Sequence, residues 1–303
     1  MMVTDLGIGG VGPGPVLPVE GRSGLRLAVT TFVSSKLALL GLVIIVALCL
    51  FCFVGPLLHH TDQVHTNLLQ VHLRPGQQGH PLGTDELGYD QLGRLMAGGQ
   101  VSLEVGLAAG VMATVIGTLY GAVAGYFGGT VDAVMMRLVD ALLSIPALFF
   151  LIVIGAIWTP TVGRLIVLIA LIAWLVPARL VRAEALTLRV RDHVRAVRLM
   201  GGSHGRAIVG HILPNAIGTV LVNASFQVAD AILYLAYLSY LGLGVRPPVT
   251  DWGGMLTNGI TYTYDGYWWL IYPPGVAIIL IVIAFNFVGD GLRDAFDPQL
   301  LQR

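Results

Sequence analysis

The sequence predicts an all-α membrane protein that crosses the bilayer several times, and three properties of its 303 residues lead to this prediction. Hydrophobic residues make up 55% of the chain and charged residues only 11%, whereas soluble proteins carry about 25% charged residues. Several stretches stay apolar over the roughly 20 residues that a helix needs to cross a bilayer. With a formal net charge of zero, the composition excludes a soluble enzyme, a disordered chain and a nucleic-acid-binding protein.

Six transmembrane helices are predicted along the chain. The first, 37–58, contains no charged residue, and Lys36 stands at its beginning. The other five are less purely apolar and cover residues 101–125, 134–158, 165–180, 216–242 and 270–289. The second span carries small residues at the spacings of four and seven that allow helix backbones to approach closely, namely Gly106, Gly110, Gly117, Gly121 and Gly125. We predict that these glycines serve helix packing and no chemistry.

The positions of lysine and arginine predict the orientation. If the N-terminus is cytoplasmic, the inner segments hold 13 basic residues and the outer segments four, and such an excess is typical of cytoplasmic loops. Both termini are therefore predicted to be cytoplasmic. The predicted organisation is a flexible cytosolic tail (1–35), a first transmembrane helix (36–58), an extracytoplasmic segment (59–100), a core with five transmembrane helices and a cytosolic loop at 181–212 (101–290), and a cytosolic C-terminal tail (291–303).

Three groups of residues are of types that form chemical sites, but each fits a structural or solvent-exposed role better. Cys49 and Cys52 match C-x-x-C inside an uncharged apolar helix without a nearby histidine. Ser203 and His204 lie in a G-x-S-x-G match, yet no strand precedes it, as a nucleophile elbow requires; an intramembrane hydrolase stays as the remote alternative. Five histidines of the outer segment match no ligand motif and are predicted to be solvated, with external metal capture as the alternative: His59, His60, His65, His72 and His80. No metal site is predicted.

The chain is not expected to hydrolyse ATP by itself or to hold a cofactor. A P-loop needs a lysine followed by serine or threonine after a glycine-rich turn. The single lysine of the sequence is Lys36, and Leu37 follows it.

The loop at 181–212 is unusually basic, because seven of the 17 lysine and arginine residues lie between Arg179 and Arg206. At 100° per residue, one helix face collects Val190, Val194, Val197 and Gly201, while a neighbouring face collects Arg191, Arg195 and Arg198. Such a short amphipathic helix suits a lipid surface or a soluble partner equally well.

A family resemblance favours the soluble partner. Residues 195–201 (RAVRLMG), followed by 211–215 (HILPN), resemble the EAA loop of binding-protein-dependent ABC importer permeases. Further blocks resemble the dipeptide, oligopeptide and nickel subfamily: 80–90 with Arg94 and 102–103, 238–245 with 247–248 and 251–255, and 284–294 with 297–298. The resemblance covers about residues 80–298. The single-span lead-in and the short cytosolic tail are similar to the C-type of the two paired permease subunits.

The resemblance implies a type I ABC importer permease fold in a prokaryotic cell membrane. It implies an importer of di- or oligopeptides, and the alternative cargo is nickel or another metal chelate. The implied partners are a sister B-type permease, one fused or two separate ATPase subunits that bind ATP and Mg, an extracytoplasmic peptide-binding protein and the lipid bilayer. A passive channel does not need a docking loop of this kind.

The resemblance also implies a coupling helix at about 195–205 that receives the ATPase. The residues assigned to this coupling are Arg195, Ala196, Arg198, Gly201, Ser203, His211 and Pro214. The sequence departs from the family pattern at four places: Arg195 and Leu235 stand where acidic residues are usual, Tyr89 where arginine is usual, and Gly93 where serine is usual.

Polar residues inside spans are costly unless they face water or a partner, and they nominate a translocation path. In the fifth span these are Asn223, Gln227 and Asp230; the alternative for Asp230 is a neutral or hydrogen-bonded packing role. The segment 252–272 holds three of the five tryptophans and four of the ten tyrosines, as in an interfacial aromatic belt. From this segment we predict a contact of Trp252, Tyr262 and Tyr264 with the binding protein.

Charged residues near span ends are predicted to be structural. Asp90 and Arg94 are four residues apart, as are Arg293 and Asp297, and both pairs fit helix-surface support. The alternative role for Arg293 is a contact with the ATPase. Glu104 and Asp140 are expected to reach the membrane interface.

Overall fold

A computed structural model describes residues 24–296, without the side chains of residues 24–27 and 198. Apart from two isolated β-bridges, every regular element of this part of the chain is a helix. The α-helices are α1 (Gly24–Ser34), α2 (Lys36–Phe53), α3 (Gly55–Leu58), α4 (Gln91–Phe127), α5 (Gly129–Leu143), α6 (Ala147–Ile157), α7 (Val162–Ala173), α8 (Leu175–Leu188), α9 (Asp192–Leu199), α10 (His204–Ala207), α11 (Leu213–Asn215), α12 (Ile217–Tyr240), α13 (Trp252–Ile260) and α14 (Tyr272–Phe296). A π-turn (Ile208–Ile212) and two 3₁₀ turns (Thr263–Asp265 and Trp268–Leu270) complete the elements.

The all-helical membrane class is confirmed. Four segments are long and apolar enough to cross a membrane: Lys36–Phe53, Gln91–Phe127, Ile217–Tyr240 and Trp268–Phe296. Two helix pairs pass the same test together but are bent, α5 with α6 by 79° and α7 with α8 by 43°. Six spans result when each bent pair counts as one.

The predicted third span is not one straight helix. The chain turns between α5 and α6, and Pro146 stands directly before the first residue of α6. Proline lacks an N–H and disfavours helical geometry at the residue before it, here Ile145. The sequence therefore ends one helix and starts another inside the predicted range of 134–158.

The predicted flexible tail at 1–35 requires a correction for its last third. Residues 24–34 form α1, which packs against α14, and Ala28 is buried. Phe32 lies close to Gly291, where an added Cβ would be 3.3 Å from the phenyl ring. The hydroxyl of Ser35 then caps α2. Residues 1–23 lie outside the described part of the chain.

Helix α4 is the centre of the bundle and contacts α2, α7, α8 and α12. Its five predicted packing glycines all lie at close helix contacts, so their interpretation is confirmed. Gly106 and Gly110 face α12, while Gly117, Gly121 and Gly125 face the backbone of residues 174–186. A Cβ on Gly121 would lie 2.3 Å from the carbonyl oxygen of Ala178.

The two ends of α4 carry different structures. At its beginning lies a platform formed by residues 59–90 and 246–271, which we call the outer platform after the side of the membrane predicted for it from the sequence. The side chain of Gln91 donates to the carbonyl of Trp269 (3.1 Å), and the indole of Trp252 donates to the carbonyl of Leu95 (2.9 Å). At the far end of α4, the hydroxyl of Tyr126 is hydrogen-bonded to Nδ1 of His204 (2.9 Å) in α10. The predicted coupling loop thus lies at the opposite end from the platform.

Candidate functional site

The coupling segment is built around the two-turn helix α9. Val194 and Val197 are buried on its inner face, while Arg195 is exposed. The next two residues of the surface, Leu199 and Met200, are 88% and 80% exposed. The end of α9 and the residue after it therefore expose two large apolar side chains close to Arg195, and such a surface suits a protein partner better than bulk water.

The predicted coupling helix at about 195–205 requires a correction, because the helix spans Asp192–Leu199 and then stops. Gly201 has a φ of +79°, and the N–H of Gly202 donates to the carbonyl of Val197 (2.8 Å). A Cβ on Gly202 would be 2.7 Å from that same oxygen. This close glycine turn reverses the chain before α10 begins.

Ser203 has a structural task at this turn. Its hydroxyl accepts from the N–H of Arg206 (3.3 Å) and caps α10. The Nδ1 atom of His204 is hydrogen-bonded to the hydroxyl of Tyr126 (2.9 Å), so the imidazole is engaged by a tyrosine. Ser203 and His204 therefore do not form the hydrogen-bonded pair that the hydrolase alternative requires.

The chain re-enters the bundle through an irregular stretch. Residues 208–212 form a π-turn, Pro214 lies in the first turn of α11, and the amide of Asn215 donates to the carbonyl of His211 (2.5 Å). Ala196 is half-buried. Of the predicted coupling residues, Arg198 has a side chain outside the described part, and the coupling role of all seven stays a prediction.

Helix α8, which leads into α9, is tied to α5 by two ion pairs. Arg182 donates from Nε and Nη2 to the two carboxylate oxygens of Asp132, each at 2.6 Å. Arg179, which lies three residues before Arg182 in α8, pairs with Asp140. Asp132 was missed by sequence reasoning, although an acidic residue in the first turn of a helix after Gly128-Gly129 is a recognisable signal.

A cavity of about 660 Å³ lies between α8, α12 and α14, and we call it the inner cavity after the side of the membrane predicted for this end of the bundle. Its wall combines charged, polar and apolar side chains: Leu180, Glu184, Leu188, Arg191, Asn215, Ile217, Gly218, Thr219, Val222, Asn223, Phe226, Arg293 and Phe296. Since Leu188 ends α8 and Arg191 directly precedes α9, the cavity adjoins the coupling segment. The predicted partner of Arg293, Asp297, lies outside the described residues.

The three predicted path residues occupy different surroundings. Asn223 is 8% exposed and lines the inner cavity. Gln227 is buried, and its side-chain amide donates to the carbonyl of Ala173 in α7. Asp230 is exposed on α12. A path role stays a prediction for all three.

The position of Gln227 follows from a proline. In a continuous helix the carbonyl of Ala173 would accept from the residue four positions later, which is Pro177 and has no N–H. The side chain of Gln227 supplies the missing donor. The bend between α7 and α8 and the fixed side chain on α12 are therefore two parts of one arrangement.

We expect Gln227→Leu to reduce the free energy of unfolding by about 1–3 kcal/mol, because the buried carbonyl of Ala173 loses its donor. In Pro177→Ala the backbone N–H of residue 177 can donate to Ala173, and the cost of Gln227→Leu should shrink in that background. Thermal unfolding of the four purified proteins of this cycle measures the coupling. Equal costs in both backgrounds would contradict the explanation.

The aromatic side chains of the outer platform divide into anchors and surface residues. Trp252 is completely buried, and its backbone N–H donates to the hydroxyl of Ser102 (3.1 Å). The predicted contact of Trp252 with an external protein is therefore wrong, and the side chain packs inside the protein. Tyr264 is fully exposed. Tyr262 is half-buried, and its ring forms a T-shaped contact with the His72 ring at 4.7 Å between centroids.

The prediction of solvated histidines is wrong for His59, His72 and His80, which are partly buried, and is confirmed for His60 and His65, which are exposed. His59 (3.2 Å) and His80 (2.8 Å) both bind the buried carboxylate of Asp90, while His72 stacks on Tyr267 at 4.5 Å. Burial lowers the pKa of His72. Within residues 24–296, no group of three His, Cys, Asp or Glu side chains could hold a metal ion.

The predicted pair of Asp90 and Arg94 requires a correction as well. Asp90 caps α4 by accepting from the N–H of Gly93 (2.7 Å), so its carboxylate lies ahead of the helix. Arg94 instead approaches Asp85 (3.7 Å) and lies over the Tyr89 ring at 4.5 Å. Burial raises the pKa of Asp85. Hydrogen bonds that its carboxylate accepts from the backbone N–H groups of Tyr89 and Leu87 act in the opposite direction and lower the pKa.

These features define a polytopic helical membrane protein that displays a short amphipathic helix at one end of its bundle and an aromatic platform at the other. Residues 117–302 match the family model of the binding-protein-dependent transport system inner membrane component. Residues 23–75 match the N-terminal transmembrane domain of oligopeptide transport permease C. The chain therefore belongs to the family of inner membrane components of binding-protein-dependent transport systems.

Relatives support this assignment over most of the chain. The chain is 39% identical to the oligopeptide transport system permease protein OppC of Escherichia coli over 284 residues, 93% of this chain and 94% of that protein. It is 38% identical to OppC of Bacillus subtilis over 90% of this chain and 89% of that protein. The dipeptide transport system permease protein DppC of Bacillus subtilis is 37% identical over 88% of this chain and 83% of that protein. Members of this family act in bacterial importers together with a further permease, an ATPase and a substrate-binding protein.

Proposed function

We propose that this chain is a permease subunit of an ATP-driven importer of di- and oligopeptides. The supporting observation is the similarity of nearly the whole chain to oligopeptide and dipeptide permease proteins, joined to a helix α9 whose outer face has no covering within the described residues. A sister B-type permease would complete the translocation path. One fused or two separate ATPase subunits would bind ATP and Mg and hydrolyse the ATP.

The test is reconstitution of this chain with its sister permease, ATPase and binding protein in liposomes that contain ATP and Mg. We expect uptake of labelled trialanine that stops when ATP is replaced by a non-hydrolysable analogue. Competition with nickel ions separates the cargo classes. ATP-dependent uptake of nickel without uptake of trialanine would overturn the peptide proposal.

We also propose that both termini and α9 lie on the cytoplasmic side, with the outer platform extracytoplasmic. The excess of arginine near α9 supports this orientation. Single cysteines introduced at position 264 and at position 199 should react with a membrane-impermeant maleimide from outside and from inside, respectively. The reverse labelling would contradict the orientation.

The coupling of α9 to an ATPase yields a charge prediction. Arg195 is exposed on α9, and we propose that it faces an acidic groove of the ATPase. Arg195→Glu should lower peptide-stimulated ATP hydrolysis by the assembled importer at least about tenfold, because like charges then meet in a desolvated contact. Arg137→Glu on α5 is the control and should leave hydrolysis unchanged. Normal hydrolysis in Arg195→Glu would show that the sister permease carries this contact.

We propose that the outer platform is the surface that contacts the binding protein. Beside the fully exposed Tyr264, a depression of about 390 Å³ is lined by Arg74, Pro75, Asp265, Gly266, Tyr267, Trp268 and Trp269. Tyrosine, tryptophan and arginine are enriched in protein interfaces. A photoreactive amino acid at position 264 should capture the binding protein, and its failure to do so in an importer that transports peptide would contradict this contact.

Asp230 is proposed to line the path. Its carboxylate is exposed on an apolar helix, where only water or a partner can compensate the charge. Asp230→Asn should reduce peptide uptake by the assembled importer, and unchanged uptake with normal assembly would remove Asp230 from the path.

A further inference from the structure

We infer that the inner cavity between α8, α12 and α14 is a binding site for a short zwitterionic peptide on the side of the bundle that carries α9. This inference rests on the proposed peptide transport and names a position for the peptide within this one subunit. The volume of about 660 Å³ lies in the range of about 300–1,000 Å³ that is usual for small-molecule sites.

The first argument is an unsatisfied amide. Asn223 is 8% exposed, and its Oδ1 atom is buried without a hydrogen-bond partner among the described residues. A buried acceptor without a partner destabilises the protein unless something binds it. A side-chain amide offers a carbonyl acceptor and an NH₂ donor group, which can pair with the N–H and the carbonyl of a peptide bond.

The second argument is the arrangement of charge. Glu184 of α8, Arg191 after α8 and Arg293 of α14 all line the cavity. Within residues 24–296, none of these three side chains forms an ion pair. One carboxylate and two guanidinium groups around one space suit a ligand with an ammonium at one end and a carboxylate at the other.

The third argument is the apolar part of the wall. Phe226, Phe296, Leu180 and Val222 line the same space. Apolar walls without further hydrogen-bonding demands accept side chains of different shape, because hydrophobic contact is not directional. The polar groups would therefore recognise the termini and the peptide bonds, which all short peptides share. The apolar groups would tolerate different peptide side chains.

The site also has a mechanical consequence. A peptide that binds Glu184 and Arg293 joins α8 to α14, and the cavity wall includes the residues at both ends of the short link from α8 to α9. Release of the peptide toward the α9 side would free α8 and α9 to move relative to α14.

Binding is tested with the full chain in lipid nanodiscs by calorimetry, using trialanine, N-acetyl-trialanine and trialanine amide as probes. We expect trialanine to bind, and each blocked end to weaken binding at least about tenfold. Glu184→Gln should weaken trialanine about tenfold but leave N-acetyl-trialanine unchanged, since that probe has no ammonium to lose. Arg293→Gln should weaken trialanine about tenfold but leave trialanine amide unchanged, since that probe has no carboxylate to lose. Asn223→Leu should weaken all three probes.

Glu104→Gln is the matched control, because it removes an exposed carboxylate on α4 that does not line the cavity. It should bind all probes as the unchanged protein does. The inference is overturned if trialanine does not bind, if the three probes bind equally to the unchanged protein, or if Glu184→Gln weakens all three equally. The first two results need no variant and do not depend on its folding. Peptide uptake by the assembled importer without peptide binding here would overturn the site and leave the proposed function intact.

Discussion

Gly121→Val is expected to lower the free energy of unfolding by about 3 kcal/mol or more, because it forces two helix backbones apart. The new Cβ would lie 2.3 Å from the carbonyl oxygen of Ala178 and 2.9 Å from the nitrogen of Arg182. Both atoms belong to the backbone of α8, so no side chain can turn away to make room. Thermal unfolding of the purified protein in detergent measures the loss.

Gly163→Val is the matched control. Gly163 lies in α7, and an added Cβ there would meet nothing within 4 Å. Because valine has a somewhat higher helix propensity than glycine, this exchange should change the free energy of unfolding by less than about 1 kcal/mol. If both variants lost the same stability, the α4–α8 contact would not be the cause.

Arg182→Met is expected to detach α5 from α8 and to cost about 2 kcal/mol. The paired carboxylate of Asp132 has only 11% of its side chain exposed, and a buried charge that loses its partner is strongly destabilising. The exposure of Arg182, 35% of its side chain, moderates the effect. Exchange of the two charges, Asp132→Arg with Arg182→Asp, should recover part of the loss.

The neighbouring pair provides the comparison for this second experiment. Arg179 and Asp140 have 51% and 55% of their side chains exposed, and exposed pairs contribute about 0–1 kcal/mol. Arg179→Met should therefore change the unfolding free energy little. Equal effects of Arg179→Met and Arg182→Met would show that burial does not separate the two pairs.

The sequence predicts the helical class and the packing glycines because both are properties of regular spacing. A small residue every four or seven positions marks the same helix face whatever the rest of the fold does. Pro146 and Pro177 were visible in the sequence, and the broken spans follow from the lost N–H groups. The size of each bend depends on the neighbouring helices, which the sequence does not place.

The roles of single side chains were harder to predict because their partners are distant in the chain. Gln227 bonds to Ala173, which lies 54 residues earlier. Trp252 belongs to an aromatic-rich segment that is typical of a surface belt, yet its partners Ser102 and Leu95 lie 150 and 157 residues away and bury it. Asp90 has the helix spacing to pair with Arg94, but as a cap it lies outside the helix surface.

Helix α4 is 37 residues long, which corresponds to about 55 Å at 1.5 Å per residue, against a hydrocarbon thickness of about 30 Å. The outer platform is bonded to its first turns, and α8 packs along its last turns. Because α4 is one continuous helix, we expect a displacement of the platform to be transmitted along it to the other end of the bundle. An external protein that tilts α4 by binding the platform would therefore also shift the end of the bundle that carries α9.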